Sequence, residues 1–442
     1  MDLLHGIEQK DFKLVVWGLG YIGITTAIKF AEKGIECLGI DINQDIVDEI
    51  NKGNIPLKNI SSSSFKHLVE NEKIKAINSS EVTCLDDYDI HIICVNTDAN
   101  NEPFKENLLG VFNKIINLIK DSSKQKMVII ESTISPNWIN EDIVPIIDNQ
   151  TPLNKSRIHF GISPRRDWFI NEETDEDSVP RIVGLASFNS NELGKKLYEI
   201  CYKKVLIAEN WIHAAMVKIV ENAIRYLNIN FSNQLAAAFP DLNITEILQL
   251  SGTKWNIPEY HPSLGIGGYC IPLAPKYLLE GAKYNENLNS LLTNMFWEEK
   301  YTNQISEYIF NLGVRRVGIL GLSYAPNIKV HKLSPAINLF NALHKLGVSC
   351  MVSDPLYTER EIRDITGAET FDFNKDLNQF DLLLVVAAHK EFYNIKDILD
   401  EQVVNPIIFD NLGDLKSIFK NSKYRYYEIG NVRNIKEFSF NN

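Results

Sequence analysis

No apolar run in this 442-residue chain reaches the roughly 18 residues that a membrane-spanning helix needs, so no membrane span is expected. The six cysteines, Cys37, Cys84, Cys94, Cys201, Cys270 and Cys350, form no CxxC pair. That argues against a zinc site and a disulfide framework, and for reduced thiols; no metal is expected. A basic block is missing too: 45 Lys and Arg stand against 57 Asp and Glu, a formal charge of −12. Nucleic acid and anionic membrane surfaces are therefore poor partners, and an anionic substrate has to be held by local groups. The opening Met1-Asp2-Leu3-Leu4-His5 lacks the basic region and long apolar stretch of a secretory leader, so a cytoplasmic protein is expected.

What the chain does contain is a nucleotide turn in its full context. Lys13-Leu14-Val15-Val16-Trp17 reads as a buried strand and runs into Gly18-Leu19-Gly20-Tyr21-Ile22-Gly23, followed by an apolar-striped helix. In that pattern Gly18 serves the tight turn, Gly20 admits a pyrophosphate and Gly23 lets helix and strand pack closely. Tyr21 and Ile22 open the helix whose N–H groups face the anion. A second strand, Glu36-Cys37-Leu38-Gly39-Ile40, ends in Asp41. An acid there is placed to hydrogen-bond a ribose 2′-hydroxyl and to repel a 2′-phosphate, so NAD is expected rather than NADP. Strand-like runs at His91-Ile92-Ile93-Cys94-Val95, Met127-Val128-Ile129-Ile130 and Arg181-Ile182-Val183-Gly184 alternate with helical stretches, the doubly wound α/β pattern. Loops after the first two, carrying Thr97 and Glu131-Ser132-Thr133, belong to the ligand crevice of such a sheet.

From about residue 207 to 239 the pattern turns helical, with Ile212, Met216, Ile219, Ala223 and Leu227 recurring until Pro240. Lys218, Asn222 and Arg225 share one polar stripe, which reads either as a solvated face or as a functional one. A shorter helix, Ile244 to Leu250, stops at Gly252. Beyond it, the stretch from Arg315 to Leu322 is again a strand leading into a glycine turn, and Val348 to Ser353 is a strand ending in Asp354. Asp381 to Val386 and Pro406 to Asp410 add two more. This echo of the first unit lacks the full glycine triplet, so a second nucleotide fits it better than a second NAD. The expected fold is α/β, two Rossmann-like doubly wound domains joined by a long central helix. Residues 1–205 would bind NAD, 206–305 would form a helical domain with the cysteine loop, of the kind that commonly carries subunit contacts and that the family resemblance given below makes the dimerisation domain, and 306–442 would bind the other nucleotide.

Cys270 follows Gly265-Ile266-Gly267-Gly268-Tyr269 and precedes Ile271-Pro272. In a dinucleotide-binding chain a glycine-lined cysteine suggests redox chemistry through a covalent sulfur intermediate, with an inert core thiol as the plain alternative. At this point the chain resembles the UDP-glucose/GDP-mannose dehydrogenase family along nearly its whole length. The matching segments, in order, are Gly18 to Gly23, Glu131-Ser132-Thr133, Lys218 to Ala223, Pro262 to Pro272, Gly321 to Asn327, Ser334-Pro335-Ala336 and Asp354-Pro355. The resemblance implies a homodimer that oxidises the C6 hydroxyl of a sugar nucleotide, UDP rather than GDP, to the uronate, with two NAD per turnover. It also implies a setting in surface polysaccharide or glycan precursor synthesis. By the same resemblance Cys270 is the nucleophile, Lys218 and Asn222 stabilise the oxyanion, and Thr133 joins the catalytic set. Thr97 and Glu131 fall with the cofactor residues, and Arg165, Lys254, Tyr260, Gly267, Tyr324 and Lys332 with the substrate.

Departures accompany these matches. Arg165 stands where the resemblance puts an acid after Pro164, and Ala274 where it puts an aspartate four positions after the cysteine. Ala325 replaces a lysine, and Lys254 and Lys332 replace arginines, which loses bidentate geometry. A general base is worth roughly 10²–10⁴-fold, so its loss should weigh on thioester hydrolysis or on alcohol deprotonation. The alternatives are an altered or truncated reaction on an unusual sugar nucleotide, or a non-catalytic sugar-nucleotide-binding homologue. Arg165 and Arg166 are candidates for an additional negative group on the substrate, and Asp167 for a substitute base. A hydroxyacid or 6-phosphogluconate dehydrogenase shares the fold plan but leaves the cysteine loop unexplained.

Overall fold

The computed structural model describes residues 2–55, 62–150, 157–166, 179–187 and 190–431, so Asp167 lies outside the described residues. It divides into two compact units, Met1–Glu221 with Lys276–Lys283, and Asn222–Pro275 with Tyr284–Asn442.

Among the described residues, ten strands belong to the first unit: β1 Lys13–Trp17, β2 Glu36–Asp41, β3 Ile74–Asn78, β4 Ile90–Ile93, β5 Asp98–Ala99, β6 Glu102–Pro103, β7 Lys126–Ile130, β8 Ile158–Ile162, β9 Arg181–Leu185 and β10 Val205–Ile207. Eight of them make one sheet in the order β10-β9-β8-β7-β4-β1-β2-β3, and β5 and β6 form a separate hairpin. All pairings in the large sheet are parallel except β8 with β9. Leu14, Val15 and Val16 of β1 are fully buried, as are Ile90 and Ile92 of β4. Strands buried on both faces need continuous apolar runs, and that is how these segments read in sequence.

The second unit holds β11 Arg316–Leu320, β12 Ser349–Ser353, β13 Glu369–Thr370, β14 Leu382–Val385, β15 Ile407–Asp410 and β16 Tyr426–Glu428, all parallel, in the order β13-β12-β11-β14-β15-β16. The period of two is visible in its core. Leu382 and Leu384 pack into one apolar cluster, while Leu383 and Val385 pack into another. Its strand order repeats that of β3-β2-β1-β4-β7-β8 in the first sheet. Each unit therefore has one point where the order reverses, between β1 and β4 and between β11 and β14, and ligand crevices of open α/β sheets lie at such points.

A 28-residue helix, Trp211–Ala238, starts in the first unit and ends in the second. It stops two residues before Pro240, which cannot continue the backbone ladder. Its buried seam differs from the expected stripe. Ile219 and Ala223 are buried as expected, but Met216 and Leu227 are only half-buried. The seam continues instead through Tyr226, Asn230 and Asn233, at 1%, 0% and 0% exposure. Tyr226 and Asn233 bond to groups outside the helix, which lets a polar side chain take a core position.

Candidate active site

The glycine turn has the geometry its sequence demands. Gly18 closes β1 with φ +88°, and a Cβ there would lie 2.7 Å from the Cys94 carbonyl oxygen. A Cβ on Gly23 would run into the Gly18 carbonyl, so close helix-to-strand packing requires that glycine. Gly20 is different, because a Cβ there would meet nothing within 4 Å. The protein's own packing does not need glycine at that position; the open space fits a pyrophosphate at the N-terminus of the helix Tyr21–Glu32. Tyr21 and Ile22 are half-buried in its first turn. Asp41 ends β2 and braces the turn: Oδ2 accepts from the Leu19 amide at 2.7 Å, and Oδ1 accepts from the Asn43 amide at 2.9 Å. These residues fit NAD.

Two expected ligand contacts turn out to be interior groups. Glu131 is 2% exposed and accepts from Arg181, from Tyr198 Oη at 2.7 Å and from Thr26 Oγ1 at 2.7 Å. Its carboxylate is therefore held inside the fold by three donors. Burial acts against the Arg181 charge, but Glu131 beside it outweighs that and raises its hold on the proton. Burial, with Glu131 next, also pushes the Tyr198 phenol up. Arg165 is likewise 2% exposed, and its Nη1 donates to Thr25 Oγ1 at 3.2 Å and Thr26 Oγ1 at 3.0 Å. Through these contacts it braces the nucleotide helix from within. Arg166 pairs with Glu221 of the long helix and donates to the Pro180 carbonyl at 2.6 Å.

Thr97 and Thr133 do come together. Thr97 Oγ1 donates to the Thr133 carbonyl at 2.5 Å, so the loops after β4 and β7 are bonded to each other. Tyr277, which the sequence did not flag, joins them: its hydroxyl lies 2.6 Å from the Thr97 carbonyl and 3.0 Å from Thr97 Oγ1. Tyr277 sits two turns along the helix Cys270–Gly281 from the cysteine, a spacing that marks a shared face in sequence but not a hydroxyl's partner.

In the second unit Cys270 is exposed at the start of that helix. Gly265 and Gly268 take φ of +148° and +90°. A Cβ on Gly267 would lie 2.6 Å from Tyr324 Cβ, and one on Gly268 3.0 Å from the Tyr324 ring. Tyr324 thus requires glycine on the loop that covers it. The Gly268 amide donates to the Lys332 carbonyl at 3.1 Å, and the Lys332 ammonium lies 5.8 Å from the Tyr269 ring centre. Gly267, Tyr324, Lys332 and the cysteine loop are therefore assembled together. Lys254 is exposed just beyond the helix Ile244–Gly252, and Tyr260 is half-buried. Ala274 is buried at 2%. Lys218 and Asn222 stand one turn apart on the long helix.

The turn after β11 repeats the first one. Asp354 Oδ2 accepts from the Leu322 amide at 2.7 Å and Oδ1 from Leu356 at 2.8 Å, matching Asp41 with Leu19 and Asn43. Here His389 Nε2 also meets Asp354 Oδ2 at 3.0 Å, both side chains being fully buried. The Asn327 amide donates to His389 Nδ1 at 2.9 Å, which leaves Nε2 to carry the proton toward Asp354. Burial alone would raise the Asp354 carboxyl; His389 and the amide donors outweigh it and hold it below its ordinary value. A histidine thus occupies the acid that a dinucleotide ribose would use.

Two Rossmann sheets, a glycine turn with its acid and a glycine-hinged cysteine define a nucleotide-binding, NAD-dependent oxidoreductase. Profiles of the UDP-glucose/GDP-mannose dehydrogenase family match the chain three times: the NAD binding domain at residues 12–202, the central domain at 212–296 and the UDP binding domain at 318–416. The UDP-N-acetyl-D-mannosamine dehydrogenase of Campylobacter jejuni is 28% identical, covering 87% of this chain and 97% of that one. The UDP-N-acetyl-D-glucosamine 6-dehydrogenase of Pseudomonas aeruginosa is 26% identical, covering 88% and 93%. Among solved structures, UDP-D-ManNAc dehydrogenase from Pyrococcus horikoshii superposes with a TM-score of 0.81 at 25% identity, covering 95% of this chain and 100% of that one. The chain belongs to the UDP-glucose/GDP-mannose dehydrogenase family and is an NAD-dependent nucleotide-sugar dehydrogenase.

Proposed function

We propose that the protein oxidises the C6 hydroxyl of a UDP-N-acetylhexosamine to the carboxylate through a covalent intermediate on Cys270. The carrying observation is the accessible Cys270 at the end of a glycine-hinged loop. The relatives' substrates, UDP-N-acetyl-D-mannosamine and UDP-N-acetyl-D-glucosamine, support the sugar class. NAD, when bound, supplies the hydride acceptor, and Gly18, Gly20, Tyr21, Ile22, Gly23 and Asp41 are the residues that would hold it, with Thr97 fixing the neighbouring loop. The first oxidation turns the C6 alcohol into an aldehyde. Cys270 Sγ adds to the aldehyde carbon, and the thiohemiacetal, on losing a second hydride and its hydroxyl proton, becomes a thioester. Water then displaces the sulfur, releasing the carboxylate and restoring the thiol. Lys218 and Asn222 would stabilise the oxyanion at C6, and Thr133 would complete the catalytic set. Gly267, Tyr324 and Lys332 would hold the sugar nucleotide, with Lys254 and Tyr260 as further contacts.

A second reading, a cycle that stops at aldehyde or thioester, is favoured by one observation. The buried methyl of Ala274 and the inward guanidinium of Arg165 leave no carboxylate at either position. A homodimer is proposed from the large apolar side chains exposed on the second unit, where Ile224, Phe231, Leu250, Trp255 and Phe296 are 51%, 57%, 64%, 91% and 81% exposed. Sedimentation of wild type against Trp255→Ser and Phe296→Ser variants tests it, a monomeric wild type refuting it. The activity itself is tested by NADH formation across UDP-ManNAc, UDP-GlcNAc, UDP-glucose and GDP-mannose. Turnover of an N-acetylhexosamine that disappears in Cys270→Ser is expected; turnover that survives it removes Cys270 from the reaction.

A further inference from the structure

The loop in front of Cys270 cannot hold its own shape. Three of the four residues Gly265 to Gly268 are glycines, which have the widest backbone freedom, so outside partners must locate it. Its amides are gripped at four points. Ser263 donates to Asn233 Oδ1 at 2.6 Å, Leu264 to Asn411 Oδ1 at 2.7 Å, Ile266 to Glu298 Oε1 at 3.2 Å, and Gly268 to the Lys332 carbonyl at 3.1 Å. Asn233 lies on the long helix eleven residues beyond Asn222, whereas the Ile266 anchor continues to the turn of that helix next to Asn222. Glu298, on the helix Asn289–Asn311, accepts with its other oxygen, Oε2, from Tyr226 Oη at 2.6 Å. Tyr226 lies four residues after Asn222 and eight after Lys218, one turn further along the same stripe of the long helix. It is 1% exposed, and burial, with the Glu298 charge next, raises its phenol, so the hydroxyl remains a donor at neutral pH.

We infer that Tyr226 and Glu298 are positioning residues: one carboxylate holds the Tyr226 hydroxyl and the Ile266 amide together, and so fixes the Cys270 loop against the helix turn bearing Asn222. This rests on the reading of Cys270 and Asn222 given above. Group transfer to a carbonyl tolerates little error, since a displacement of about 1 Å between reacting groups costs on the order of 10²-fold in rate. The two helices have a separate bridge, Gln234 Nε2 to Asn294 Oδ1 at 2.8 Å, so their packing does not hang on the Tyr226 contact alone.

The test uses the full-length enzyme, NAD and whichever UDP-sugar is turned over. Tyr226→Phe is expected to lower kcat about tenfold or more, with KM for the sugar nucleotide, NAD affinity and Tm close to wild type. Glu298→Ala should match it or exceed it. Glu298→Gln should recover most of the rate, because its amide can accept from Ile266 and donate to the Tyr226 oxygen. Gln234→Ala, which cuts the other bridge, should leave kcat unchanged. Hydrogen exchange at amides 264–270, read without substrate, should quicken about tenfold in Tyr226→Phe and Glu298→Ala and not in Gln234→Ala. If wild type turns over no sugar nucleotide, the proposed function fails, while exchange still decides the positioning role. Tyr226→Phe with wild-type kcat and exchange would overturn the inference, and so would kcat and Tm falling together while KM rises.

Discussion

Replacing Glu131 with alanine should destabilise the first unit rather than disarm it. The side chain is 2% exposed and receives donors from Arg181, Tyr198 and Thr26. Its removal leaves the Arg181 guanidinium, itself 2% exposed, without its carboxylate, and strands the Tyr198 hydroxyl. Breaking a buried pair from one side costs about 3–5 kcal/mol. At about 1.4 kcal/mol per decade, that is roughly two to four decades in the folding equilibrium. Urea denaturation followed by far-UV circular dichroism should show the first transition shifted to lower urea, while the protein still folded binds NAD within about threefold of wild type. Since replacing both partners with apolar groups of similar size is often neutral, Glu131→Leu with Arg181→Met should recover most of the loss. A Glu131→Ala protein of near wild-type stability whose NAD affinity fell more than about tenfold would refute this reasoning and restore Glu131 to the cofactor site.

The glycine turn separates binding from folding. Gly20→Val should leave stability nearly unchanged and weaken NAD binding, because its side chain enters open space, whereas Gly23→Ala should destabilise the unit by about 1–3 kcal/mol through overpacking on the Gly18 carbonyl. Calorimetry for NAD and thermal melts for both variants check this, and equal effects on both would contradict it. Burial, with Lys126 nearby, pulls the fully buried His91 down to about 3. Between that value and its ordinary 6.5 the unfolded chain binds the extra proton and the native state does not, so stability falls as pH drops. The loss should reach about 2 kcal/mol at pH 5, and a His91→Leu variant should lack it in urea titrations at pH 5 and 7.5. Tyr277→Phe should cost about 1 kcal/mol of first-unit stability, read as a shift in urea midpoint; an unchanged midpoint would remove the Thr97 contact from the account.

Much of the fold was legible because buried parallel strands read as uninterrupted apolar runs, from Lys13–Trp17 to Ile407–Asp410. The strands that escaped are of another kind: β3, β10 and β16 lie at sheet edges, β5, β6 and β13 have two residues each, and β8 is broken by Gly161. Among site residues, the glycine turn, Asp41 and the cysteine loop are local patterns and could be read directly. Arg165 and Glu131 could not, since burial against Thr25, Thr26 and Arg181 depends on segments more than 45 residues away. Tyr277, Glu298, Asn233 and Asn411 were missed for the same reason. Each makes a long-range hydrogen bond to a loop amide or carbonyl, and no spacing in the chain encodes that partner. Chemical type gave a partial signal for the seam of the long helix, where Tyr226, Asn230 and Asn233 fall at core spacing.

The central claim is a four-electron oxidation carried on Cys270. It is tested most directly by the ratio of NADH formed to UDP-N-acetylhexosamine consumed, with mass spectrometry of the sugar product and of the Cys270 peptide. Two NADH per free uronate, with no adduct left on Cys270, is the predicted result; one NADH per aldehyde, or NADH formation undiminished in Cys270→Ser, would contradict it.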